Sequence, residues 1–112
     1  MTAQRQSETV LECHLGFSAG TARIDLVGAL DECGAEILAA YLERAGDADV
    51  DRIVLNVANV GVVSAAAVRC LAHAQQRFGP STWLMLAGAD ADLRGALRRA
   101  SLDSAIALVP DS

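Results

Sequence analysis

Hydrophobic residues recur with two periods along this chain, and each change of period marks a new element. Leu11, Cys13 and Leu15 alternate with Glu12 and His14, a period of two that predicts a strand with one wet face. Gly16 to Gly20 supplies a turn. Ala22, Ile24, Leu26 and Gly28 then alternate with Arg23, Asp25 and Val27, which closes a hairpin. Asp31 is placed to cap a helix over roughly Cys33 to Ala45. Its inward face carries Leu38, Tyr41, Leu42 and Ala45, and Gly46 with the run DADVD ends it. Arg52 to Val57 is short, apolar and β-branched, which predicts a buried central strand. A second helix runs from Ala65 to Phe78, with Val68, Leu71, Ala74, Gln75 and Phe78 facing inward and Gly79-Pro80 as its stop. Thr82 to Leu86 reads as another buried strand. A third helix from Asp90 to Ala100 buries Leu93, Ala96, Leu97 and Ala100, and Ala105 to Val109 forms a last short strand. The order β-β-α-β-α-β-α-β predicts an α/β domain, a mixed sheet of about five strands packed with about three helices.

Length and composition narrow the functional classes. The 112 residues suit one domain, expected over 9–109 behind a flexible tail at 1–8, with a second loose end at 110–112. Aromatics make up only 4% of the chain, so aliphatic residues and alanine must pack the core. The net charge of −5 argues against a nucleic-acid surface. No run approaches the roughly 18 apolar residues of a membrane span, and MTAQRQSETV lacks the apolar core of a signal peptide. A cytoplasmic protein without membrane insertion is the expectation. Cys13, Cys33 and Cys70 are odd in number and widely spaced, which reads as reduced thiols and not as a disulfide framework.

The segment Ile53 to Leu71, IVLNVANVGVVSAAAVRCL, is the most informative one. Its strand–loop–helix junction is where a small α/β domain places its working surface. Ser64 is followed by three alanines, with no nucleophile–base pair, no glycine cradle and no ligand cluster. That points to a binding module without a cofactor and not to an enzyme. Ser64 reads as a helix N-cap. Cys70 and His73 form an i,i+3 pair, one ligand short of the three that a zinc site needs. Cys13 reads as a small buried hydrophobe, and Cys33 as an unreactive thiol beside Asp31 and Glu36. Asp90 and Asp92 sit in the first turn of the third helix and Arg98 and Arg99 in its last, each sign complementing the dipole.

Two segments carry a resemblance to a known family. IDLVGALDECGAEILAAYL resembles a strand, a "G-E-L-D" turn and a helix, with Asp31 at the Asp and Ala29 in place of the Glu. IVLNVANVGVVSAAAVRCL resembles a strand ending in "D-S-S-G" before a helix. The chain is thereby similar to STAS domains, the fold of bacterial anti-sigma factor antagonists and of sulphate-transporter tails. The resemblance implies a partner, a kinase-like anti-sigma factor that the unphosphorylated domain binds. Against the family pattern Ser64 takes the place of the Asp. Ala65 takes the place of the serine that such a kinase phosphorylates, and Asn56 stands at a further Asp position. The switch residue is therefore absent, and the expected behaviour is that of a permanently unphosphorylated antagonist.

The surface expected to meet the partner is the loop Asn59 to Val63 with the outer face of the second helix. The residues are Asn59, Gly61, Ser64, Ala65, Ala66, Arg69 and His73. A STAS subunit of a larger assembly, such as a lipid ABC transporter or sensory complex, is the alternative; a small-ligand-binding STAS domain is another. Whether the chain pairs as a homodimer stays open.

Overall fold

The computed structural model describes residues 11–78, 82–102 and 105–109. The tails expected at 1–8 and 110–112, and the Gly79-Pro80 stop, lie outside them. Eight elements follow in the expected order: β1 (Glu12–Ser18), β2 (Thr21–Leu30), α1 (Glu32–Gly46), β3 (Arg52–Val63), α2 (Ala65–Phe78), β4 (Trp83–Ala87), α3 (Ala91–Arg99) and β5 (Ala107–Val109). The five strands form one sheet in the order β1-β2-β3-β4-β5. β1 is antiparallel to β2, and every later neighbour is parallel.

Each parallel crossover steps the same way across the sheet. Right-handed connections then put the three described crossover helices on one face. α1 packs on β1, β2 and α2, and α2 reaches β4. Between sheet and helices lies an aliphatic core of Ala22, Ile24, Leu26, Ile53, Leu55, Leu84 and Leu86 from strands, met by Leu38, Leu42, Leu71, Leu93 and Leu97. This geometry corrects the expectation that β3 and β4 are buried strands. They are buried on the helical face only. Val54, Asn56 and Met85 are half-buried on the other face, and Trp83 is 64% exposed.

Four boundaries also differ from the pattern, each for a local reason. β1 runs on to Ser18, so the turn is only Ala19-Gly20, at φ 51° and 80°. Two successive left-handed residues match the twist of a hairpin. α1 includes Gly46 instead of ending before it. A Cβ there would come to 2.5 Å from Phe78 Cε1, so this glycine permits close packing of α1 on α2 and is not a cap. β3 continues six residues past Val57, because two register shifts let it follow β2 as far as Leu30. The expected loop Asn59 to Val63 is therefore strand. Ala100 is exposed, not buried. Ser101 turns left-handed at φ 60°, the Leu102 N–H donates to the Leu97 carbonyl at 2.8 Å, and the Ser101 N–H donates to that of Arg98 at 3.0 Å. That is a Schellman end, and Leu102 supplies the buried contact in place of Ala100.

Two glycines give opposite expectations for the same substitution. A Cβ on Gly34 would run into the Ala29 carbonyl oxygen, while one on Gly95 would meet only the flexible end of Arg99 at 3.4 Å. Gly34→Ala should cost about 1–3 kcal/mol by overpacking, outweighing the gain of about 1 kcal/mol in helix propensity. Gly95→Ala should keep that gain. Thermal melts should move in opposite directions, and a Gly34→Ala protein as stable as wild type would contradict the close approach.

Candidate functional site

The site is built where β2 and β3 end side by side. Asp31 follows β2 and its carboxylate accepts from the Gly34 N–H at 2.8 Å, which starts α1. Ser64 follows β3 and its N–H donates to the Leu30 carbonyl at 2.8 Å, so the end of β3 is tied to the end of β2. The Ser64 Oγ accepts from the Ala67 N–H at 3.2 Å, the cap expected from sequence. Two helices thus begin next to one another at the carboxyl ends of parallel strands, where open α/β sheets place their ligands.

The first turns of α2 divide sharply by exposure. Ala65 is exposed, Ala66 is half-buried against the core, and Ala67 is fully buried. Ser64, Ala65 and Arg69 line a concavity of about 380 Å³ with Val63 and Val68. Its opposite wall is α3, through Ala96, Arg99 and Ala100. Arg69 is also the end of a second concavity of about 240 Å³ between α1 and α2. His73, Cys70, Ala74, Arg77 and Phe78 line that one, facing Ala39, Leu42 and Glu43. Gly61 faces a third, of about 430 Å³, with the first turn of α3. Asn59 is exposed and pairs with Val27 in the sheet, apart from these hollows.

Asn56 is occupied structurally. Its amide donates to Asp25 Oδ1 at 3.1 Å and its own oxygen accepts from the Ala58 N–H at 3.1 Å. Arg23 Nε donates to the same Asp25 oxygen at 3.1 Å. An Asp at position 56 would set carboxylate against carboxylate, whereas the amide supplies the donor that Asp25 accepts.

Sequence reasoning missed the contribution of α3. Arg99 had read as a charge that complements its own helix, yet it forms the wall opposite Ala65. No local pattern announces this, since it depends on where the crossover lays α3. Cys70 and His73 do share one groove, as the i,i+3 spacing expects. Among the described residues, no group of three or more His, Cys, Asp or Glu side chains converges on a metal-sized space. No helix among the described residues is long and apolar enough to cross a membrane.

No family model and no curated protein matches the sequence. Solved structures do match the fold. An anti-sigma factor antagonist from Mycobacterium paratuberculosis superposes with a TM-score of 0.81 at 15% identity, over 90% of this chain and 86% of that one. The unphosphorylated form of the anti-sigma factor antagonist SpoIIAA gives 0.73 at 17% identity, over 87% of each chain. An antisigma-factor antagonist STAS domain from Rhodobacter sphaeroides gives 0.60 at 17% identity, over 72% of this chain and 89% of that one. The fold is that of a STAS domain. Its identity with these STAS structures is low, so the likeness lies in the path of the backbone and not in shared side chains.

The three thiols of this chain differ in burial. Burial pushes the Cys13 thiol up to about 11 and raises that of Cys70, while Cys33 is exposed in the first turn of α1. A raised thiol pKa means less thiolate at neutral and mildly alkaline pH. An alkylating reagent should therefore modify Cys33 well before the other two, as read by mass mapping over time. Equal rates at all three would show that Cys13 and Cys70 are not packed as described.

Proposed function

We propose that this STAS domain is a protein-binding regulatory module, an anti-sigma factor antagonist without a phosphorylation switch. It docks an anti-sigma factor through the end of β3 and the first turns of α2, and it works by binding and not by catalysis. The observation that carries this reading is the exposed Ala65 directly after the Ser64 cap, at the junction of β3 and α2. The position resembles the family's phosphoserine site, and alanine has no hydroxyl to accept phosphate. Phosphate would add about −1.5 to −2 charges at such a helix start. A chain that cannot carry it stays in the binding-competent form. The low surface of Ala65 lets a partner's backbone come close.

Two measurements test the reading. In a calorimetric titration, an anti-sigma factor encoded in the same genome should bind the chain, and the complex should persist after incubation with kinase and ATP. Intact mass should show no added phosphate; phosphate at Ser64 would mean that regulation moved by one residue and would sink the permanent form. Ala65→Glu should weaken the complex at least tenfold by placing bulk and an unpaired charge in a desolvated contact. It should leave the melting temperature unchanged or slightly raised, since an acid in a helix's first turn is favourable by about 0.3–1 kcal/mol. Full affinity in that variant would place the interface elsewhere.

A further inference from the structure

Beyond the end of β4, one edge of β3 is left open. β3 pairs with β4 only from Arg52 to Asn56, but with β2 as far as Val63. Residues 59–63 therefore run on for about 16 Å, at about 3.3 Å per residue, with no strand on the β4 side among the described residues. Main-chain N–H groups of a strand point to its two edges in turn. That of Ser64 points to β2, where it donates to Leu30. Those of Val63 and Gly61 then point to the open side. Proteins usually blunt such an edge with charge, proline or a covering element. The stretch NVGVV at 59–63 has neither charge nor proline. A Cβ on Gly61 would meet no atom within 4 Å.

α3 stands across from this edge without closing on it. The concavity of about 430 Å³ has Gly61 and Val63 on one wall and the first turns of α3 on the other. It adjoins the one of about 380 Å³ beside Ala65, since Val63, Ala96 and Arg99 line both. Strand edge and helix thus border a cleft that leads to the start of α2. Two features define its occupant. Open main-chain groups are met by another extended main chain, which joins the sheet as an added strand. The charges are also separated along the cleft. Asp90 and Asp92 line only the first hollow and, of these two, Arg69 lines only the second, with Arg99 where they join. Asp90 already accepts from the Leu93 N–H at 2.9 Å. Asp92, Arg69 and Arg99 have no ion-pair partner among the described residues. A basic group toward Asp92 and an acidic group toward Arg69 complement both ends. A second folded copy, pairing edge to edge, would bring its own α3 into the space that this α3 borders. A single extended segment needs only the spacing of one strand, about 4.8 Å.

We propose that an extended segment of the protein partner adds to the open edge of β3, between β3 and α3, with a basic residue toward Asp92 and an acidic one toward Arg69 and Arg99. The inference rests on the protein-binding reading above and names the conformation and charge order of the segment bound. The probe is a short fluorescein-labelled peptide of alternating valine and threonine, with lysines at one end and glutamates at the other, made in both directions. In fluorescence anisotropy one direction should bind at least tenfold more tightly, and its affinity should fall as salt is raised. N-methylation of alternate residues removes the donors of one peptide edge and no charge. In one phase it should weaken binding at least tenfold, and in the other far less. In residue-resolved hydrogen exchange the peptide should slow the amides of Gly61 and Val63 at least tenfold. Gly61→Pro removes an open N–H and should weaken binding at least tenfold. Asp92→Lys with Arg69→Glu, both exposed, should reverse the preferred direction, and Arg94→Glu, outside the cleft, should change nothing. Melting curves check that each variant folds. No binding of either peptide, indifference to both methylation phases, or an unchanged preference after the charge exchange overturns the proposal. So does citrate binding at Arg69 and Arg99 without peptide binding, or self-association of the chain that Gly61→Pro abolishes. If the peptides fail while the anti-sigma factor still binds and Ala65→Glu still weakens it, only the strand-addition inference falls. If the anti-sigma factor itself fails to bind, the reading beneath it falls, and this inference with it.

Discussion

The hydrogen bond from the Ser64 N–H to the Leu30 carbonyl, 2.8 Å long, fixes the carboxyl ends of β2 and β3 against one another. It closes a parallel pairing of β2 with β3 that would otherwise drift apart, because β3 carries two more residues than β2 over the paired stretch. The two register shifts absorb that surplus, and Gly28, at φ 121°, is the residue at the second. Val63 thereby lies opposite Leu30, and α1 and α2 start from adjacent strand ends, capped by Asp31 and Ser64. A bulge beside a binding surface re-aims side chains that a regular ladder would point elsewhere. Past this junction Ala65 is presented outward while Ala67 enters the core.

One face of the sheet receives the three described helices, and this governs how the core is built. Small residues on α1 and α2 let the helices lie close: Gly46 against Phe78, with Ala45 and Ala74 buried nearby. The core is nearly free of polar groups, and the described residues hold no buried polar side-chain atom without a hydrogen bond. Polar interactions are instead placed at element ends and on the open sheet face, where Arg23, Asp25 and Asn56 form a half-exposed network. Exposed pairs of that kind contribute little to stability, about 0–1 kcal/mol each. Aliphatic burial on the helical side therefore carries the fold, and the open face is free to vary.

Local features were legible in the sequence, and features set by distant contacts were not. The order of the eight described elements follows from period and punctuation alone, and so do the caps at Asp31 and Ser64, because a cap involves residues three apart. Gly46 was misread because a glycine after an apolar stripe looks the same whether it ends a helix or admits a neighbour such as Phe78. The length of β3 was misread because AlaAsnValGly looks like a loop until β2 is known to bulge alongside it. The exposure of Trp83 follows from crossover direction, which no window of sequence reports. In the site, Ser64, Ala65 and Arg69 could be named in advance, since they share one strand–helix junction. Arg99 could not, because its place opposite Ala65 exists only once β4 has carried the chain across the sheet.

The sign of the surface around Ala65 follows from this combination. An acidic chain ordinarily spreads negative potential over its exposed faces. At the start of α2, Ser64 is neutral, there is no acid in the first turn, and Arg69 and Arg99 converge from two helices. The amide groups of the helix start add a fixed positive dipole in the same place. A neutral serine therefore caps this helix without cancelling the field, whereas an aspartate would cap equally well and oppose both arginines. The choice of Ser64 forgoes the charge–dipole gain of about 0.3–1 kcal/mol that an aspartate would bring and adds no negative charge at the start of α2. Stability alone would favour the aspartate, so the residue at position 64 is informative about what approaches it.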